Sequence, residues 1–479
     1  MIYDWKMELY WRLPIRVQEA ALSLYARYLN RHYYTPDLYD SWRQQYQCWQ
    51  TTWSKTMAEV WQNQQLQALL ELAATRVPYY RQAWHRIDWK SVKSAVDLHV
   101  LPLVDKQIIR QNESAFLVEG INPKTLWVEK TSGTTGTALR IFWPKAMLPK
   151  WWALSEVMSR NVAGVGQDIP RAMMGGRTIV RGDTDLPPFW RYNRYWHQLY
   201  LSSYHVSHHN APYYISAIRD YDSQWITGYG SAIATLAESA MEAGLESLKL
   251  RSALVSGDTL LPGMRSRIEQ FFQCKCFDHY GQSEGICTAM ECHQGRMHLI
   301  PMAGILEILR EDGSPCPPGE IGEMVATGLL NDVMPFIRYR LGDYAAWAED
   351  QHCPCGNPYA ILTHLVGRVD DYLITGDGRK IGRLSTAIKR SPAIHSAQLV
   401  QDKPGHAYLL IHPGDNYRSA DGRAVHDDIL ERIGSFQLTI MEVTEIPKTP
   451  QGKSVLVVRL ADRPSMRETY QKILGKQVF

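Results

Sequence analysis

The stretch Thr131-Ser132-Gly133-Thr134-Thr135-Gly136 constrains this chain more than any other segment. Glycine lets a backbone approach a ligand closely and take positive φ. Alternating hydroxyls and exposed N–H groups present a row of donors to phosphate oxygens. The flanks, Leu126-Trp127-Val128 and Leu139 to Trp143, have the apolar and aromatic character of strands. The expectation is a loop joining two strands and laid over a triphosphate. Taken alone, such a segment also suits an exposed linker.

A chain of 479 residues can hold about three average domains. Its 45% hydrophobic and 21% charged content is globular. The net charge of +3, from 52 basic and 49 acidic residues, gives no nucleic-acid footprint. No apolar run approaches the ~18 residues of a span, so no membrane partner is expected. Met1 to Pro14 carries Asp4, Lys6, Glu8 and Arg12 and lacks a signal-peptide core. A cytoplasmic protein is expected, with its eight cysteines reduced or metal-bound.

Residues 1 to about 115 read mainly as helix, with Val60, Leu66, Leu69, Leu70 and Leu72 on an amphipathic stretch that Pro78 breaks. Strands and helices then alternate. Gln224 to Tyr229 reads as a strand, and Ser231 as the cap of a helix carrying Ile233, Leu236, Ala237, Ala240 and Met241, stopped by Gly244. Ala253 to Ser256 and the segment around Cys276-Phe277 read as strands, with a helix from Pro262 between them. Such units predict a largely parallel sheet with its ligand beyond the strands' carboxyl ends, where Tyr280-Gly281 falls. After Glu307, short strands and Gly/Pro turns predict a β subdomain. The fold class is α/β: a large N-terminal domain, 1–367, with mostly parallel sheets and a β subdomain, and a small α+β C-terminal domain, 368–479.

Further stretches follow the glycine-rich one in order: Asp278-His279-Tyr280-Gly281-Gln282-Ser283-Glu284, Tyr339-Arg340-Leu341-Gly342-Asp343, Gly367-Arg368-Val369-Asp370-Asp371 and Pro447 to Lys453. Together they resemble the signatures of the adenylate-forming enzymes. The region Leu66 to Arg110 resembles one branch, the phenylacetate–CoA ligases and the capsular-polysaccharide-biosynthesis proteins related to them. The resemblance covers residues 131 to 453 and implies ATP-dependent activation of a carboxylic acid to an acyl-adenylate, with release of pyrophosphate, then transfer to coenzyme A. Transfer to an amine or hydroxyl is the alternative acceptor chemistry. A non-catalytic nucleotide binder is the alternative of another class. Related enzymes are often homodimers.

Joining a carboxylate to a phosphate brings two anions together, so the site must neutralise charge and hold the nucleophile in line. The resemblance implies that Thr131, Ser132, Gly133, Thr134, Thr135 and Gly136 cradle the β- and γ-phosphates. Glu284 would hold Mg²⁺ through oxygen, Tyr280 would stack on adenine, and Asp343 would accept from the ribose hydroxyls. Ser256, Gly257, Asp278, Gly281 and Ser283 would line the nucleotide and acid pocket. Arg368 would reach phosphate or ribose oxygens. Lys453 would bridge carboxylate and α-phosphate, carried by a C-terminal domain that turns about Asp370 or Asp371.

Departures stand beside the matches. The glycine-rich loop continues Ala138-Leu139-Arg140, without the family's lysine, and Thr375 replaces the usual lysine before Gly376-Asp377-Gly378. Cys292, His298, Cys353 and Cys355 suit a closed tetrahedral Zn²⁺ site, and several members of the branch look similar here. Buried reduced thiols are the alternative, and His293 competes with His298. His205, His208 and His209 are expected near the acid pocket or in a solvated loop.

Overall fold

The computed structural model describes residues 5–130, 139–257, 260, 262–366, 372–382, 384–388, 391, 393–414, 417–444, 446–447, 456–461 and 466–475. Helices dominate up to residue 116, as expected. The helix Lys55–Arg76 starts at Ser54, whose side chain accepts from the Met57 N–H. It buries Leu66, Leu69, Leu70 and Ala73, whereas Val60 faces solvent. Trp49, Trp53 and Trp61 pack on one another, with Trp49 and Trp53 stacked at 4.2 Å. These aromatic residues belong to the core rather than to a ligand-lined surface.

β1 (Trp127–Lys130) and β2 (Arg140–Trp143) form an antiparallel pair, with Lys130 opposite Arg140. A twelve-stranded sheet follows. Its parallel half contains β3 (Arg171–Gly175), β5 (Gln198–Ser202), β6 (Trp225–Gly228), β7 (Ser252–Ser256) and β8 (Lys275–Gly281), edged by the antiparallel β4 (Trp190–Asn193). The other half is antiparallel: β9 (Thr288–Glu291), β10 (Met297–Leu299), β11 (Gly304–Leu309), β12 (Gly322–Gly328), β13 (Tyr339–Trp347) and β14 (Ile361–Val366). The spatial order is β11-β12-β13-β14-β10-β9-β8-β7-β6-β3-β5-β4. The expected β subdomain is therefore continuous with the parallel strands through one hydrogen-bonded ladder.

The helix after β6 runs Gly230–Glu242, so Ser231 lies inside its first turn and Tyr229 occupies the cap position. Ile233, Leu236, Ala237 and Ala240 are buried as expected, and Gly244, at φ +68°, follows its end. The helix Pro262–Phe272 covers the same face.

The C-terminal part pairs β15 (Tyr372–Ile374) with β16 (Lys380–Gly382) and builds a four-stranded sheet from β17 (Ile394–Lys403), β18 (His406–Pro413), β19 (Gln437–Glu442) and β20 (Val457–Arg459). Its core also takes in Tyr204, from the loop after β5. Arg379 donates to the Tyr204 and Ile433 carbonyls at 2.9 and 3.2 Å. A Cβ on Gly182 would lie 1.2 Å from the Glu431 carbonyl oxygen, so only glycine fits this contact. No helix among the described residues is long and apolar enough to cross a membrane.

Candidate active site

The parallel strands end side by side: Gly228 is in register with Val255, and Ser256 with His279. Tyr280 is the penultimate residue of β8, with its carbonyl accepting from Thr288 Oγ1 at 2.8 Å. The same hydroxyl lies 2.9 Å from His279 Nε2. Burial, with a smaller contribution from Arg160, pushes the His279 imidazole down to about 4, so it is neutral at physiological pH.

The Tyr280 hydroxyl donates to Asp343 Oδ2 at 2.8 Å. Burial first, and then the Asp343 charge, drives this phenol far above its ordinary range. Tyr280 thus stays protonated and keeps donating. Glu284 lies in the loop just beyond β8, and its Oε1 accepts from the Tyr339 hydroxyl at 3.2 Å. Glu284 adds a smaller electrostatic push on the same Tyr280 phenol.

A backbone irregularity aims Asp343. The β12–β13 register slips between Glu323 and Val325, and Gly342 takes φ +75° at that point. A bulge of this kind redirects a side chain, and a positive φ favours glycine there. The start of β13 is tied to the helical layer. The Val104 N–H donates to the Arg338 carbonyl and the Arg340 N–H to the Val104 carbonyl, both at 2.9 Å. Buried Arg338 also bonds the Leu101 carbonyl at 2.6 Å and Glu307 at 2.9 Å. The helical layer thus fixes a strand of the cleft. Gly285, at φ +67°, packs so close to Trp143 that a Cβ would lie 2.9 Å from the indole. That indole and Met147 therefore wall the loop carrying Glu284.

In the antiparallel strands beside β8 and the loop between β13 and β14, Cys292, His298, Cys353 and Cys355 present ligand atoms within 4.8 Å of one another. Cys292 Sγ and Cys353 Sγ are 3.7 Å apart, and Cys355 Sγ lies 3.4 Å from His298 Nε2. A tetrahedral site with metal–sulfur bonds of about 2.3 Å has edges of about 3.8 Å, so the spacing fits zinc. His298 Nδ1 sits 3.2 Å from the Tyr359 carbonyl. That contact selects the tautomer whose Nε2 lone pair faces the cysteines. His293 instead packs edge-on against Phe277 at 5.0 Å.

The family described as "CapK C-terminal domain" matches residues 373–460. Protein CapK of Staphylococcus aureus is 24% identical over 456 residues, covering 92% of this chain and 96% of that protein. The phenylacetate–coenzyme A ligase of Thermus thermophilus is 26% identical over 325 residues, covering 65% and 71%. A solved structure of 2-hydroxyisobutyryl-CoA ligase, in complex with 2-HIB-AMP and CoA, superposes with a TM-score of 0.56 at 18% identity, covering 89% of this chain and 94% of that one. The chain is thus similar to CapK over nearly its whole length and to coenzyme A ligases over much of it, in line with the adenylate-forming signatures in its sequence.

Among the superfamily positions expected from sequence, Tyr280, Glu284 and Asp343 come together. Ser256 ends β7 beside His279, and Gly257 follows at φ +84°. The Asp278 N–H donates to Glu291 at 2.8 Å, and Ser283 sits in the turn that Gly285 closes onto Gln282. Thr131, Ser132, Gly133, Thr134, Thr135, Gly136, Arg368, Asp370, Asp371 and Lys453 lie outside the described residues. Arg140, which follows the loop, is paired with Glu113 on the surface. His205 is buried, stacked on Phe189 at 5.1 Å and bonded to Ser202 at 2.8 Å, whereas His208 and His209 are exposed. Tyr339 and Thr288 were not given roles from sequence. Tyr339 stood inside a recognised motif and could have been found, whereas nothing local marked Thr288.

Proposed function

We propose that this chain is an AMP-forming ligase that joins a carboxylic acid to the α-phosphate of ATP and then passes the acyl group to coenzyme A. The observation that carries the reading is a pair of tyrosine-bound carboxylates beyond the end of a parallel strand, Asp343 accepting from Tyr280 and Glu284 from Tyr339. Asp343 would accept from the ribose, and Tyr280 would offer its ring to adenine while holding the carboxylate in place. Mg²⁺ at Glu284 would neutralise phosphate charge. The hydroxyl-rich loop Thr131 to Gly136, tethered by the β1–β2 hairpin, would donate to the terminal phosphates. Lys453 and Arg368, from the hinge and the C-terminal domain 368–479, would close on the α-phosphate for the first half-reaction. Rotation about Asp370 or Asp371 would admit the acceptor for the second. Zinc at Cys292, His298, Cys353 and Cys355 would be structural, with no open position.

The names carried by the ligase relatives support coenzyme A as acceptor. A second reading, transfer to an amine or hydroxyl, is favoured by Thr375. Its hydroxyl is bonded to Asp377, and it stands where the resemblance expects a lysine. Incubation with ATP, Mg²⁺ and a library of acids, with acyl-adenylate detected by mass, tests the first step. The expected result is one acid class that yields adenylate and pyrophosphate. Nucleotide binding with no adenylate from any acid would leave a binder instead. Adding coenzyme A, and in parallel hydroxylamine, separates thioester formation from other acyl transfer.

A further inference from the structure

The helix Ile15–Leu29 is amphipathic in the reverse sense. A surface helix ordinarily buries its apolar stripe and shows its polar face to water. Here the polar residues face inward. Gln18 is buried, donating to the Leu13 carbonyl at 2.8 Å and accepting from Arg191 at 2.6 Å. Glu19 accepts from the Tyr192 N–H at 2.9 Å, and Ser23 from the Arg194 N–H at 3.0 Å. The outward arc carries Val17, Leu24, Tyr25 and Tyr28, with Leu24 67% exposed. Arg16 and Arg27 of the helix, and Arg31 just after it, are exposed beside that stripe. The β4–β5 turn extends the patch through exposed Arg194 and Tyr195, whose hydroxyl accepts from Asn30 at 2.8 Å.

We propose that this face docks on the surface of an anionic phospholipid bilayer, with the helix lying in the interface plane. Charge complementarity carries the choice of partner. The only carboxylate of the helix, Glu19, is turned inward, so the exposed arc is purely cationic. In a two-fold dimer the same patch would meet itself. Its arginines would then face arginines, which argues against a second copy as occupant. On a bilayer, by contrast, the arginine stems extend along the apolar stripe and their guanidinium groups reach lipid phosphates. Tyrosine suits the level of the headgroups. The sequence expectation of no membrane partner rests on the length of a span, a criterion that does not bear on a helix lying flat.

Co-sedimentation of the full chain with vesicles tests this. Vesicles of phosphatidylglycerol and phosphatidylcholine should pellet several-fold more protein than phosphatidylcholine alone, and raised salt should release it. The triple substitution Arg16→Gln, Arg27→Gln, Arg31→Gln should remove the preference, and Leu24→Ser with Tyr28→Ser should weaken it. Both variants should keep the melting temperature of the parent. Equal pelleting with neutral vesicles, no pelleting at all, or parent-like binding by the triple variant overturns the proposal. So does a dimer in sedimentation velocity that Leu24→Ser dissociates, since the face would then belong to a second copy.

Discussion

The cleft around Tyr280 and the cluster around Cys292 belong to the same sheet and solve opposite problems. In the cleft, two carboxylates are each held by one phenol, at 2.8 and 3.2 Å. Carboxylate oxygens accept hydrogen bonds and bind hard cations. In the cluster, three thiols and an imidazole face one another and leave no room for a substrate. Under the proposed function, ligand chemistry would separate a reactive site from a structural one within a single sheet. The cluster also joins the β9–β10 hairpin to the loop between β13 and β14. With zinc bound, that cross-link would tie β9 and β10 to the end of the strand that carries Asp343.

Loss of either site should produce different signatures. The largest effect is expected from Glu284→Gln, which keeps shape and removes charge. Adenylate formation should fall by about 100-fold or more in pyrophosphate exchange, with little change in melting temperature. Comparable activity in the variant would remove Glu284 from the chemistry. Asp343→Asn should raise the KM for ATP by about tenfold with a smaller change in kcat. An effect confined to kcat would break its assignment to the ribose.

Cys355→Ser, by contrast, should release one equivalent of zinc and lower the melting temperature by about 5 °C or more. Metal analysis and calorimetry check this. A variant that melts like the parent and never carried metal would reduce the cluster to buried thiols. A pH effect should come from the cleft. His279 has a folded pKa of about 4, below its free value of 6.5, so the unfolded chain takes up the proton first. Its contribution to stability is full above about 6.5 and is lost as pH falls towards about 4. Replacing it with Asn should flatten that limb of a melting-temperature profile. The smallest effect belongs to Tyr339→Phe, which should raise the Mg²⁺ needed for half-saturation by about three- to tenfold at unchanged stability.

Much of the cleft was legible in the sequence because its residues sit beside strand ends and turns that local pattern reveals. Tyr280 falls at the end of a segment that reads as a strand, and Asp343 closes a recognisable motif, although the bulge at Gly342 was not read from sequence. The cysteine cluster was legible from ligand chemistry together with the resemblance to the ligase branch, with His293 left as a competitor of His298. Pairings between distant strands were not. The short β10 meets β14 across more than sixty residues of chain, and no local period encodes that register. This is why the β subdomain read as separate when it continues the main sheet. The cap assigned to Ser231 failed by a similar margin, since a helix boundary shifts by a residue or two with little change in pattern. His205 read as near the acid pocket or in a solvated loop; it lies in the loop after β5 but is buried, with Ser202 bonded to one ring nitrogen and Phe189 stacked on its face.

The polar inner face of the helix Ile15–Leu29 has one more consequence. β4 is a border of the twelve-stranded sheet, and its amide at Tyr192, with that of Arg194 just beyond it, is satisfied by side chains of that helix. A chain shortened past Leu29 would bare those donors along a ready template for a foreign strand. Self-association after such trimming would come from an uncovered border, not from any damage to the catalytic cleft.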